Sequence, residues 1–393
     1  MKKILAILLC LCMVLAVVAC NRTEDNTTDD TTAAGTTAAT TEATSEEETT
    51  EGDVETPVEV EYKLGMGIVV GLDSSASATE EKAGTAQIDA TVATVVLGKD
   101  GKIVACRLDA VQNKITVNAD GTLVVPETFQ TKMEKGDNYN MATWGAGQDN
   151  NGDGIVKEWY EQAKAFEAWV VGKTADEVKN MPTQTLDNDF GTAGYVISAD
   201  ADLLAAGCTI QTGDFVDAVV KACNDEQGMS FKTASAFTLG VAATSANSGS
   251  TNATADANGS VQVYSDFAAA VVVDGKIVAT LNDAIQPKIA VTVAGAIDAK
   301  TFNGTKRELK EGYNMAAFGA PNVEGGTVKE WYIQSAAFSA YVVGRTATEI
   351  ASMETKVVNN HYISVEEGLL EAGCTMQITG ICAVVATAAN NAR

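Results

Sequence analysis

The sequence predicts an α+β protein built from two homologous tandem domains, each a small antiparallel sheet with helices packed on it. Three observations carry this expectation. Residues 156–160, Val-Lys-Glu-Trp-Tyr, with Gln162, Phe166, Val170, Val171, Gly172 and Thr174, reappear as residues 328–332 with Gln334, Phe338, Val342, Val343, Gly344 and Thr346. β-Branched, partly alternating stretches flank Asp100-Gly101 and again Asp274-Gly275, a short-range hairpin signal. Apolar residues at helical spacing follow those stretches in each copy, the order of a sheet succeeded by helices rather than of alternating βα units.

Residues 1–20 hold Lys2, Lys3 and an apolar run ending in Val-Val-Ala-Cys at Cys20. This resembles a bacterial lipoprotein signal, which implies cleavage before Cys20, a lipid on its thiol and a membrane-anchored protein facing the extracytoplasmic side. The alternative is an ordinary secretory signal with an incidental cysteine. Residues 21–61 contain 13 Thr and 13 Asp or Glu against the single basic residue Arg22. Such a segment buries too little apolar surface to offset its ordering entropy and is expected to be a disordered tether. It carries about half of the net charge of −25. No basic stripe answers it, so nucleic acid is not an expected partner.

The copies are expected at 62–227 and 228–393, aligned from Leu64-Gly65 and Leu239-Gly240. Within the first, strands are expected at 88–97 and 103–108, with a third at 114–117. A helix over 157–171 follows from the spacing of Trp159, Tyr160, Ala163, Phe166 and Val170. Thr174 with Glu177 three residues on reads as a capped helix start, and last helices are expected at 215–222 and 381–389.

No catalytic machinery announces itself. His361 is the only histidine and has no counterpart in the first copy, so a Ser/His/Asp or Cys/His mechanism common to both copies is excluded. Cys106, Cys208, Cys223, Cys374 and Cys382 match between copies only at Cys208 and Cys374. They are read as buried thiols, with a Cys374–Cys382 disulfide as the alternative. Asp149, Asn151 and Asp153, with Gly154 and Ile155-Val156 after them, match the opening of a calcium loop whose closing carboxylate is missing; an Asn/Asp/Gly turn explains the same residues. Lys157-Glu158-Trp159-Tyr160 with Gln162, and Tyr139-Asn140-Met141 upstream, recur with Trp331, Tyr313 and Asn314 at the matching places. They are read either as helix packing with the Lys/Glu pair facing water, or as an aromatic-walled site for a planar ligand.

Asp100-Gly101-Lys102-Ile103 and Asp274-Gly275-Lys276-Ile277, with Gly207-Cys208-Thr209 and Gly373-Cys374-Thr375 ahead of the last helices, resemble the extracytoplasmic FMN-binding domain family of bacterial lipoproteins and respiratory flavoproteins. The resemblance implies FMN as cofactor, Thr209 and Thr375 as positions for a phosphoester, and a flavin transferase and redox proteins as partners. Here the motif departs from the family: Cys208 and Cys374 stand where Ala is usual, and Ala206 and Ala372 where Ser or Thr is usual. The expected function is accordingly an extracytoplasmic lipoprotein that binds FMN or a similar planar ligand in electron transfer. The alternative is a non-enzymatic binding module, or a calcium-dependent scaffold.

Overall fold

The computed structural model describes residues 58–144, 152–186, 194–318 and 327–393; the signal, most of the tether, Asp149 and Asn151 lie outside them. The first copy runs β1 Val60–Gly71, β2 Gly84–Leu97, β3 Ile103–Val117, β4 Leu123–Val124, α1 Lys132–Lys135, α2 Met141–Trp144, α3 Trp159–Val170, α4 Ala175–Lys179, β5 Thr183–Leu186, β6 Tyr195–Ser198, α5 Ala201–Ala205, α6 Gly213–Cys223 and β7 Met229–Thr233. The second repeats this as β8 Thr238–Asn247, β9 Gly259–Val273, β10 Lys276–Ile285, β11 Lys288–Val291, β12 Ile297–Thr301, α7 Lys306–Leu309, α8 Met315–Phe318, α9 Trp331–Tyr341, α10 Ala347–Ala351, β13 Thr355–Val358, β14 His361–Ser364, α11 Glu367–Glu371 and α12 Thr379–Asn390. The fold is α+β.

The first sheet has the order β4-β3-β2-β1-β7 and is antiparallel throughout. In the second, β9 takes β8 on one edge and β10 with β11 on the other. The turn between β9 and β10 is the two-residue Asp274-Gly275 loop with positive φ at both positions, 49° and 77°, the geometry that matches strand twist in a tight hairpin. The segment 114–117 is not a separate third strand: β3 pairs with β2 without interruption from 105 to 117. Its counterpart is split into β10 and β11 at Pro287, which has no N–H to give a ladder. Around the expected boundary, near 227–231, β7 joins the first sheet by pairing with β1, and β8 begins at Thr238.

Alternation decides how the layers stack. Ile88, Ala90 and Val92 face one way and join Leu64, Ile115, Val241, Val263, Phe267 and Ile289 in a single core drawn from both copies. Ala93, Val95 and Leu97 face the other way, against Trp159, Phe166, Leu203 and Phe215, and the second copy has its own equivalent layer. The molecule is thus helices, sheet, sheet, helices, with residues 56–393 in one unit. Asn113 ties the inner faces by donating to the Ser245 and Ser265 hydroxyls at 3.0 and 3.2 Å.

Gly65 and Gly240, where the copies begin to align, have a packing reason. A Cβ on either would overlap the carbonyl oxygen of Ala222 or Ala388, so these glycines let α6 and α12 lie directly on β1 and β8. Thr174 forms the expected capping box with Glu177, and Thr346 forms the same box with Glu349. Among the described residues no helix is long and apolar enough to cross a membrane.

Candidate functional site

The duplicated residues meet at the start of α3 and again at the start of α9. Glu158 caps α3, and its carboxylate accepts from Met141 N at 2.8 Å and Ala142 N at 3.0 Å, the first donors of α2. Glu330 does the same for Met315 N and Ala316 N at 2.8 and 3.1 Å. Helix-start N–H groups have no partner within their own helix, so a carboxylate aimed at them is strongly held. Asn140 and Asn314 just before them sit at φ 63° and 60°, left-handed backbone that Asn tolerates better than other side chains.

Gln162 is fully buried and uses both ends of its amide. Its Nε2 donates to Lys157 O at 2.7 Å, and its Oε1 accepts from Thr209 N at 2.8 Å and Ile210 N at 3.1 Å. Gln334 repeats the clamp with Lys329 O and Thr375 N at 2.7 and 2.8 Å. Lys157 and Lys329 reach over Gly207 and Gly373 to the Ala206 and Ala372 carbonyls at 3.0 and 3.1 Å. Those glycines are required by φ of 81° and 90°, left-handed backbone, and the ends of the lysine side chains lie over them. Three segments far apart in sequence are therefore stitched into one lock. The expectation that the Lys/Glu pair faces water is corrected for Glu158, which is buried because its carboxylate is needed inside.

The aromatics retained with the lock enclose a lysine of the chain itself. Lys132 Nζ stands 5.0 Å from the Tyr139 ring centroid and 5.3 Å from that of Trp159. Lys306 Nζ stands 4.5, 4.6 and 5.5 Å from Tyr264, Tyr313 and Trp331 and donates to the Tyr264 hydroxyl at 3.1 Å. Burial pushes the Lys306 amine down to about 8, opposed by Asp266 and Asp283. The aromatic faces favour the ammonium as well, so it is cationic at neutral pH. A carboxyl accompanies each lysine from different positions. In the first copy it is Asp214 on α6, raised by burial and held back by Lys132. In the second it is Asp266 on β9, pushed up to about 6 by burial against the pull of Lys306. The position matching Asp214 is Gly380, and a Cβ there would lie 2.8 Å from Asp266 Oδ2: the carboxyl moved from helix to strand into space the glycine leaves open.

Sequence reasoning missed Thr131-Lys132 and Thr305-Lys306, together with Asp109 and Asp283. The signal was present, since Thr-Lys-x-Glu stands in both copies eight residues before Tyr-Asn-Met. Thr131 and Thr305 form capping boxes with Glu134 and Glu308. Asp109 accepts from Met133 N at 3.2 Å and Asp283 from Arg307 N at 3.0 Å, the starts of the same short helices.

Two cavities flank these clusters. One, of about 310 Å³, opens at the start of α6 and is lined by Lys179, Gln211, Thr212, Asp214 and Asp217 among others. The other, of about 330 Å³, lies beside Lys306 in the second copy, lined by Gln286, Lys288, Phe302, Asn303, Lys306 and Tyr313 among others. Thr209 lines neither and is only 3 % exposed, its hydroxyl 3.5 Å from Gln162 Oε1. As folded it does not fit a phosphoester, which would require the lock to open. Thr375 is half-buried and makes the same contact.

The described cysteines are all free and buried, so the Cys374–Cys382 disulfide does not form. Burial pushes Cys208, Cys374 and Cys382 up to about 12, which removes them as nucleophiles at neutral pH. His361 is exposed on β14. Of the calcium-loop residues only Asp153 is described; its carboxylate accepts from Ile155 N at 2.7 Å within its own turn. Among the described residues no group of three or more His, Cys, Asp or Glu is placed to hold a metal.

Fold and lock together define an α+β protein with two pseudo-symmetric halves, each closed by a Glu/Gln/Lys lock over a lysine boxed in aromatics. Comparison of the chain with family models, curated proteins and solved structures gives no match.

Proposed function

We propose that the protein is a lipid-anchored extracytoplasmic binding protein that holds a planar anion noncovalently, FMN being the first to test. Any redox chemistry would belong to the bound cofactor, with the chain supplying its position and electrostatics. The observation that carries this is the cavity beside Lys306. It has two lysines, two amides and two aromatic rings on its wall and no carboxylate, in a chain of net charge −25. A cavity of about 330 Å³ is in the range of small-molecule sites. Aromatic faces suit a flat ring system, and the lysines suit its negative charge.

The test is titration of FMN with the protein, followed by quenching of flavin fluorescence, beside an intact mass. Saturable quenching that Lys288→Met and Lys306→Met each weaken, with no added mass, is the expected result. Lys288 is exposed, so its variant separates binding from folding. An FMN-sized mass lost in Thr375→Ala would move the ligand to the threonine instead.

A second reading is a surface scaffold with no small-molecule ligand. It is favoured by the internal engagement of Lys157, Glu158 and Gln162, which leaves the lock's polar atoms facing protein. Absence of both quenching and added mass would leave this one standing.

A further inference from the structure

The cavity of about 310 Å³ at the start of α6 holds a buried polar group that the lock does not use. Thr212 stands at the N-cap of α6, lines this cavity and is 2 % exposed, yet its hydroxyl caps nothing and has no hydrogen bond among the described residues. The N–H groups of Gly213, Asp214 and Phe215 find no acceptor among those residues either, since the ladder of α6 begins with Val216 N donating to Thr212 O at 2.9 Å. Access to them is open: a Cβ built on Gly213, itself on the cavity wall, meets nothing within 4 Å.

A buried hydroxyl left without a partner costs free energy, and the fold does not ask for one here. The matching position in the second copy is Ile378, fully buried at the start of α12. The charges on the wall are confined to the first copy as well: Lys179, Asp214 and Asp217 stand where the second copy has Ala351, Gly380 and Ala383. Among the described residues none of the three forms an ion pair. Burial raises the Asp214 carboxyl, Lys132 opposes the rise from outside the cavity wall, and Asp217 adds to it, so the two carboxyls lie close together.

The Thr212 hydroxyl, the free N–H groups of the helix start and the Lys179 cation are donors suited to a carboxylate. Asp214 and Asp217 are acceptors suited to an ammonium. A simple anion entering this cavity meets the two aspartates, and a simple cation meets Lys179 and the positive end of α6. A ligand that carries both charges answers the whole wall. The geometry points to a binding site for a free α-amino acid, with its carboxylate on Thr212 and the start of α6, its ammonium on Asp214 and Asp217, and an apolar side chain against Met181 and Val216. The two apolar residues line the same cavity, whose volume suits a ligand of this size. This site lies in the first copy and does not depend on the cavity beside Lys306.

The probe is L-leucine, titrated into the full chain by calorimetry beside isoamylamine and isocaproate, which keep its skeleton but lack the carboxylate or the ammonium. One saturable site per chain is expected for leucine, with each analogue weaker by about tenfold or more. Thr212→Ile and Asp217→Ala install residues that the second copy already carries at those places, and each should weaken leucine about tenfold, the effect of losing one hydrogen bond to a charged group. Thr212→Ser should keep most of the affinity. In the absence of leucine, Thr212→Ile should unfold in urea no earlier than the parent chain, whereas a structural role for the hydroxyl would make it unfold earlier. Absence of saturable heat with leucine overturns the inference. So does binding of either analogue as tight as that of leucine, or leucine binding that Thr212→Ile leaves unchanged.

Discussion

The two copies agree where three segments must meet and differ where the copies touch each other. In the lock, Glu158 and Glu330, Gln162 and Gln334, and Lys157 and Lys329 make matching bonds at distances within 0.1 Å. Along the seams, three positions changed together, Arg307, Lys221 and Asp225 standing where the opposite seam has Met133, Thr387 and Asn391. A lock residue bonds two other segments at once, so any single change strands a buried donor or acceptor. The seam side chains also have several partners, Arg307 meeting Asp225 and Gln227 O and Lys221 meeting Glu308 and Ile68 O, so such a set is exchanged only when its members change in step. The carboxyl beside the boxed lysine obeys the same rule, moving from Asp214 to Asp266 as Gly380 opened the space.

The largest test of this comparison is to separate the copies. The first copy alone, through Thr233, would expose Leu64, Ile88, Val92 and Ile115, which now lie against the second copy. It should self-associate through that face or fail to fold, as read by light scattering on a sizing column. A folded monomer would break the shared-core account.

Next in size is Arg307→Met, which leaves Asp225 buried without its cation. Side chains on both members of that pair are under a tenth exposed, 7 % and 8 %, so the loss should be about 3–5 kcal/mol in urea unfolding. Gln162→Ala should cost about 2–3 kcal/mol, because it strands two N–H groups and a carbonyl. Gln334→Ala should cost less, since its Oε1 holds the single backbone donor Thr375 N.

The remaining test concerns pH dependence. Burial pushes the Asp109 carboxyl up to about 7 from its ordinary value of 3.8. Between those two values the folded chain keeps a proton that the unfolded chain has lost, so stability falls as pH rises from about 4 to about 7 and is level above. Asp109→Asn should flatten that slope, by on the order of 4 kcal/mol at most. Asp283→Asn should flatten it less, because Arg307 helps hold that carboxyl at about 6. Equal flattening would show that the guanidinium does not distinguish the seams.

The strand and helix positions were legible because they rest on local chemistry. Asp274-Gly275 supplies two positive φ values, Thr174 with Glu177 a capping box, and the Trp159 to Val170 spacing a helix. β1 and the hairpins β5–β6 and β13–β14 were not read, since stretches such as Gly-Met-Gly-Ile in β1 gain strand character only from a helix packed on their glycines. The roles of the duplicated polar residues were half legible. Recurrence picked out Glu158, Gln162 and Lys157, but spacing alone could not say whether their partners were a ligand or the N–H groups of Met141 and Thr209.

What the sequence determined by itself is the duplication, the α+β class and the residues that neither copy gave up. Periodicity and turn chemistry act over a few residues and need no knowledge of the rest. Only the tertiary structure decided that the two sheets share one core, that Tyr139, Trp159 and their twins enclose the chain's own lysines, and that Arg307 meets Asp225 across a seam between the copies. Those outcomes depend on which groups from distant segments arrive at the same place, and contact between segments far apart in sequence is set by the packing of whole layers rather than by any local pattern.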